Sequence, residues 1–374
     1  MPTKAGQSFT VTVAGERIES VVHTPGERAQ WLCFPPLADL HVHANRAFTV
    51  GAALPNSLSH AVELMLAMAQ RATVDDYERN ASRLFEQACR HGTARVRTHA
   101  DVATCTGLKA VHGTARARER FTCELDVEIV AFAIATHDPA EAPARNLLRE
   151  ACRSGAELLG AVPDLYPDPR RSIDAVLDLA LELDVDVDLH LDEHLDHDRS
   201  LSAYLAQATT ARGYQGRVWL SHACALSTFE RNAQRDVAQA IADAGIVVIA
   251  LPATNLYLQD RGCGTPVKRG LTCAQELAAA GVEVRFASDN VRDVFYPYGS
   301  ADLLETAWLA ATAAHVEDPE LLVRAISDGK AGIETGREAS FLLVRGNSLA
   351  EVLAERPAER LRVRRGAVRA LQSG

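Results

Sequence analysis

Lysine is almost missing from this chain. Only Lys4, Lys109, Lys268 and Lys330 occur, so the 39 basic residues are nearly all arginine. Aromatic residues make up 5%, and a core must therefore be built mostly from Ala, Val and Leu. None of the eight cysteines forms a C-x-x-C pair, which argues against a zinc ribbon. Scattered cysteines in a chain of 374 residues also argue against a disulfide scaffold. The longest apolar runs, such as 246–252 and 129–135, fall far short of a membrane span. No glycine-rich phosphate loop follows an apolar strand, which weakens a nucleotide-binding reading. Positive charge is short as well: 39 basic against 49 acidic residues gives −10. A binder of nucleic-acid backbones or anionic membranes would normally be net positive, so both classes are disfavoured. The opening MPTKAGQSFTVTV has no apolar signal region. Together these features predict a reduced, soluble, cytoplasmic protein.

What is present is an alternation of element types. Apolar strands are predicted at 38–42, 94–98, 127–134, 158–162, 185–191, 218–221, 246–251 and 282–287. Helical stretches lie between them, the clearest at 57–68, 74–90, 140–154, 173–183, 201–212, 229–244 and 273–280. Thr73 with Asp76 spells a capping box. Gly92, Gly155, Gly245 and Gly281 stand where helix ends need a left-handed residue. Eight such strand–helix units predict an α/β fold, a distorted (β/α)8 barrel, with an open doubly wound sheet as its rival. Short strands near both ends (8–13, 17–22, 339–344 and 361–368) predict a small β-rich domain. Residues 1–35 plus 332–374 would form it, and 36–331 the barrel.

Four segments place His or Asp at the C-terminal ends of predicted strands, where barrel enzymes hold their active sites. In Leu40-His41-Val42-His43 the two imidazoles share one strand face, about 7 Å apart. The run from Asp184 to Asp192 alternates with period two: Val185, Val187, Leu189 and Leu191 on one face, Asp184, Asp186, Asp188, His190 and Asp192 on the other. It also contains H-x-x-E-H, His190 to His194, a zinc-peptidase signature that requires a helix where this pattern predicts a strand. His222 follows Leu220-Ser221, and Asp289 closes the strand 282–287. Each alone has an ordinary structural explanation. Together they suit one chemistry: a divalent metal held by His and Asp lowers the pKa of its water toward 7 and yields a hydroxide nucleophile. A nearby carboxylate then moves protons, and a histidine polarises the developing oxyanion.

These segments resemble the amidohydrolase superfamily, most closely its cytosine deaminase branch, and are similar also to N-isopropylammelide amidohydrolases. The likeness runs from about Phe34 to Val368 and includes Val96–Asp101, Ile129–Phe132, Gly160–Pro163, Asn255–Gln259 and Asp289–Gly299. The resemblance implies that His41, His43, His190 and Asp289 ligate one divalent ion: zinc, iron or manganese. It implies that Glu193 protonates a ring nitrogen, that His222 orients the attacking water and that Asp289 receives its proton. It places Asn290 at the substrate edge. Two-metal members bridge their ions with a lysine on the fourth strand, and the fourth predicted strand, 158–162, has none. His99 is expected to be a hydrogen-bond partner behind the ligands.

The pattern also departs from that branch. Ile134 stands where cytosine deaminases of the branch carry a glutamine, and it offers the pyrimidine edge no hydrogen bond. Asn290 replaces an aspartate, and Phe295 a tryptophan wall. His137, Asp138, Arg292 and Asp293 are expected to be solvated loop residues. The expected function is deamination of an N-heterocycle, cytosine-like or another aminated ring, in a pocket that differs from that of true cytosine deaminases. The alternatives are cleavage of another ring-attached C–N bond, as in N-alkylamino triazines, a zinc peptidase, or a non-catalytic scaffold of the same fold. No interface is legible, and self-association stays open.

Overall fold

The structure, a computed structural model, describes residues 8–25, 29–51, 54–55, 57–261, 264–265, 268–328 and 333–371. Lys4 and Lys330, named above, lie outside them. The chain begins with a hairpin, β1 (Phe9–Ala14) and β2 (Arg17–His23), followed by β3 (Trp31–Phe34) and β4 (Leu37–Val42). Then come α1 (Leu58–Ala69), α2 (Val74–Arg90), β5 (Thr93–Val102), α3 (Lys109–Phe121), β6 (Asp126–Ala133), α4 (Ala142–Arg153) and β7 (Leu158–Ala161). The alternation continues through α5 (Pro169–Leu183), β8 (Asp186–Leu191), α6 (Ser202–Ala211), β9 (Val218–His222), α7 (Arg231–Asp243) and β10 (Val247–Ala250). It ends with α8 (Pro252–Leu258), α9 (Ala274–Ala279), β11 (Val284–Phe286), α10 (Leu303–Ala313), α11 (Pro319–Ala325), β12 (Phe341–Arg345), α12 (Leu349–Glu355), β13 (Arg360–Arg364) and β14 (Ala367–Leu371).

Strands β4 to β11 form one eight-stranded sheet in chain order, and its paired neighbours are parallel. The rival doubly wound order is absent, because each strand neighbours the next in sequence. The sheet is nearly closed. A parallel bridge pairs Val42 with Asp289, and Asp289 N donates to His41 O at 2.8 Å. Ser288 N donates to the Asp39 carboxylate at 2.9 Å. The seam between first and last strand therefore lies where the chemistry was expected.

Helix starts follow the sequence signals. Thr73 and Asp76 form the capping box at the head of α2. Gly92 ends that turn at φ +89, and a Cβ there would lie 2.5 Å from a Leu342 methyl carbon. Glycine is thus needed both for the backbone and for the close approach of β12. The helices bury their apolar stripes on the barrel: Leu84 and Phe85 of α2, Ile173, Val176 and Leu177 of α5, and Leu205 of α6 are fully enclosed.

The two chain ends come together in β structure. β3 joins β12, β13 and β14 in a four-stranded antiparallel sheet, uniting the two ends of the chain. The β1–β2 hairpin stays a sheet of its own, touching that region through an Arg17–Glu338 bridge. The four-stranded sheet is clamped to the barrel by buried Arg360, whose guanidinium grips both oxygens of Asp302 at 3.0 and 2.7 Å. Among the described residues, no helix is long and apolar enough to cross a membrane.

Candidate active site

Every residue singled out for metal binding stands at the C-terminal end of a barrel strand. β4 ends at Val42, so His41 is its penultimate residue and His43 opens the short turn that follows. His190 is the penultimate residue of β8, and Asp289 lies just beyond β11. One ligand atom from each of His41, His43, His190 and Asp289 can be chosen so that all lie within 4.8 Å of one another. His190 Nε2 is 3.2 Å from His41 Nε2 and 3.1 Å from His43 Nε2. Asp289 Oδ1 is 3.3 Å from His43 Nε2 and 3.7 Å from His41 Nε2.

These spacings suit a single cation. Ligand atoms 2.0–2.1 Å from one tetrahedral zinc sit about 3.3 Å apart. All four side chains are buried, and both Asp289 oxygens lack any hydrogen-bond partner among the described residues. A buried carboxylate without a partner is costly unless a positive charge faces it. Burial, above all, holds His41, His43 and His190 well below the usual imidazole range, so they are neutral and ligand-competent. Burial also pushes the Asp289 carboxyl up to about 7, opposed mainly by His222.

The ligands are braced from behind. Ser221 Oγ lies 2.8 Å from His41 Nδ1 and donates to Asp188 Oδ1 at 2.8 Å, so the hydroxyl links the histidine to a buried carboxylate. His99 stacks 4.1 Å from His41, its Nε2 3.5 Å from Asp188. It thus faces the same carboxylate behind the ligands, at longer range than a firm hydrogen bond. Burial opposes ionisation of Asp188, but His99 and His41 hold its pKa well below the carboxylate norm.

Glu193 and His222 face the same cleft. The Glu193 backbone is pinned from both sides, its N–H donating to Asp164 and its carbonyl accepting from Gln259. Burial raises its carboxyl to about 8, with Arg46 opposing, so the group is a neutral acid near pH 7. Its Oε1 is 3.6 Å from His222 Nδ1. His222 and Asp289 both sit at positive φ, +75 and +59. Left-handed backbone in non-glycine residues stores strain and aims side chains that a regular strand could not.

The cleft opens to solvent and holds about 440 Å³ of atom-free space, the solvent at its mouth included. His43, Arg46, His190, Glu193, His222, Asp289 and Asn290 line its reactive end, and Leu58, Val62, Met65, Phe132, Ile134, Val162, Leu165 and Phe295 the rest. Ile134, Asn290 and Phe295, expected at the substrate, all reach it.

Some expectations hold and others fail. Residues 186–191 are strand, so His190 and His194 do not share a helix face, and His194 turns to Asp164 instead. The zinc-peptidase alternative falls with that geometry. Asp192 leaves the His190 face because its φ of +58 reverses the chain; its carboxylate caps residues 200–202. Asp184 and Asp186 serve Arg217 rather than the cleft. Asp293 is not a solvated loop residue: it is wholly buried and holds Asn290, Phe295 and Tyr296. His137 is buried too, away from this cleft. Sequence reasoning gave no role to Arg46, Asp188 or Asn255. Asn255 Oδ1 lies 3.0 Å from His222 Nδ1, and the segment Asn255–Gln259 had carried resemblance without a role.

The chain is similar to several known proteins. A pterin deaminase of Rhizobium rhizogenes (strain K84) is 29% identical over 354 residues, 90% of this chain and 80% of the relative. An N-isopropylammelide isopropyl amidohydrolase of Pseudomonas sp. (strain ADP) is 25% identical over 374 aligned residues, 91% of this chain and 88% of the relative. A crystal structure of 5-methylcytosine deaminase from Klebsiella pneumoniae superposes with a TM-score of 0.89 at 23% identity, covering 100% of this chain and 95% of that one. The Amidohydrolase family profile matches residues 63–338, beginning beyond His41 and His43. By that match this chain belongs to the amidohydrolase family, and it is a hydrolase of C–N bonds other than peptide bonds.

Proposed function

We propose that the cleft removes an amino group from a small N-heterocycle by hydrolysis. The observation that carries this is the convergence of His41, His43, His190 and Asp289, with Glu193 and His222 lining the same cleft beside largely apolar walls. Relatives named for pterin deamination and for N-isopropylammelide hydrolysis support a heterocyclic substrate.

A divalent cation (zinc, iron or manganese), held by His41, His43, His190 and Asp289, would supply Lewis-acid activation of a water molecule. Glu193 donates its proton to the ring nitrogen next to the carbon that carries the amine, making that carbon more electrophilic. His222 presents Nε2 to the water and orients it. Asp289 accepts the water's proton as the new C–O bond forms. Glu193, now a carboxylate, takes the proton of the new hydroxyl as the carbonyl forms, and the amine takes the proton held on Asp289; the C–N bond breaks with its electron pair on nitrogen, and ammonia leaves. Phe132, packed 4.4 Å from the His190 ring, and Phe295 exclude bulk water from these transfers.

The apolar lining supplied by α1, Leu58, Val62 and Met65, favours a second reading in which the leaving nitrogen carries an alkyl group. Aminated and alkylaminated heterocycles, offered to protein reconstituted with zinc, iron or manganese, separate the two by product: ammonia or alkylamine. Glu193→Gln should abolish turnover while metal stays bound. Full turnover in that variant overturns the assigned role, and turnover in metal-free wild type overturns the cluster's role. The cysteines, free where described, suit a reducing cytoplasm.

A further inference from the structure

Arg46 is the one lysine or arginine lining the cleft among the described residues. It lies three residues beyond His43, in a short turn that follows β4. It is 9% exposed, and its charge opposes ionisation of His43 and favours ionisation of Glu193 and Asp289. Its guanidinium carbon sits 4.6 Å from the centre of the Phe295 ring. Of a guanidinium's five N–H donors, one is bonded among the described residues: Nη1 donates to Asp101 at 3.3 Å. Nε is 3.6 Å from Asp293, too far for a hydrogen bond, and has no partner there.

The other polar groups of the cleft are more committed. His43, His190 and Asp289 belong to the cluster, and Glu193 and His222 to proton transfer. Asn290 donates to Asp293 at 2.8 Å and accepts from Thr254 at 3.5 Å. Ile134 offers nothing to a polar ring edge. A ring seated here thus meets one strong, underused donor, and that donor sits in a low-dielectric wall, where an unmet donor is costly.

We propose that Arg46 is the specificity residue of this cleft and receives an exocyclic oxygen of the ring, so that its substrates are oxo-bearing aminoheterocycles rather than fully aminated or oxygen-free rings. A neutral oxo group suits the site better than a carboxylate, because Asp101 and Asp293 already face the guanidinium with negative charge. This inference rests on the function proposed above.

The test uses ring pairs that differ in one oxygen: 4-aminopyrimidin-2-one against 4-aminopyrimidine, and 2-amino-4-oxopteridine against 2-aminopteridine. Calorimetry on zinc-reconstituted protein measures the dissociation constant of each. In the wild type the oxo member should bind at least about tenfold more tightly. Arg46→Met should collapse that ratio to within about twofold, and Arg46→Lys should keep part of it. A purely structural Arg46 would instead lower the melting temperature and leave the ratio unchanged, which overturns the proposal. If Arg46→Met does not fold, because Asp101 and Asp293 lose their counter-ion, Arg46→Lys and the wild-type pairs decide. A wild type indifferent to the oxygen overturns the proposal by itself. Failure of every heterocycle to release ammonia or alkylamine overturns the proposed function instead.

Discussion

His222 Nδ1 lies 3.0 Å from Asn255 Oδ1, and only an Nδ1–H donor satisfies that contact. The ring is therefore held in one tautomer, with the Nε2 lone pair left for the cleft, where it has no other partner among the described residues. Asn255 stands on α8, and His222 at the strained end of β9. Asn255→Ala frees the tautomer and should lower kcat about 10- to 100-fold with little change in bound metal. Steady-state kinetics beside metal analysis checks this; an unchanged kcat would show that the contact positions nothing.

Glu193 sets a pH dependence. Its ordinary value is 4.5, and burial raises it to about 8. As an acid it is competent below that value, so kcat/KM should fall as pH rises through about 8. Stability moves the same way. The native state keeps a proton that the unfolded chain releases above about 4.5, so this contribution is full below that pH and lost as pH rises through 8. Asp164, raised from 3.8 to about 7 by burial, adds to the same slope. A bound cation would lower both limbs, so urea midpoints belong on chelated protein. Glu193→Gln should flatten the slope between pH 5 and 8; an equal slope in both proteins would contradict the buried neutral acid.

Metal content should be one equivalent per chain. Asp289→Ala and His190→Ala should each lose most of it, because each removes a convergent ligand. Chelation should lower the melting temperature. A ligand at a hundred times its dissociation constant stabilises the native state by about 2.7 kcal/mol. Two equivalents, or a chelator without effect on melting, would contradict a single-ion cluster.

Arg360 tests the joint between the terminal sheet and the barrel. It is 4% exposed and, besides gripping Asp302, donates to the His91 carbonyl at 2.9 Å. Arg360→Ala leaves Asp302 buried and unpaired, which should cost about 3–5 kcal/mol. Urea unfolding measures the loss. Turnover per folded molecule should stay at the wild-type level, because neither residue lines the cleft.

Much of the site was legible because strand periodicity puts particular residues at particular ends. His41, His43, His190 and Asp289 each mark a strand terminus, and eight alternating units order those termini around a barrel. Arg46 was not legible: in a chain whose 39 basic residues include only four lysines, one more arginine carries no signal. Its importance comes from burial against Asp101 and Phe295, which are distant in sequence. Asn255 was hidden because α8 is seven residues long, too short to show a period, and starts at Pro252 directly after a strand. Asp192 misled because alternation cannot foresee a left-handed residue. Of the two chain ends, β3 pairs with β12, while the first hairpin keeps its own sheet and meets residues 336–339 through the Arg17–Glu338 bridge and backbone hydrogen bonds of Glu16 and Ile18.

The seam of the barrel carries one more consequence. Ser288 bonds to Asp39, 249 residues earlier in the chain, and Asp289 bonds to the backbone of His41 beside it. The first two imidazoles leave the ribosome long before the carboxylate that completes their set. A growing polypeptide would thus hold only an unfinished half-socket, and a cation held by all four side chains would have to wait for completion of the whole barrel.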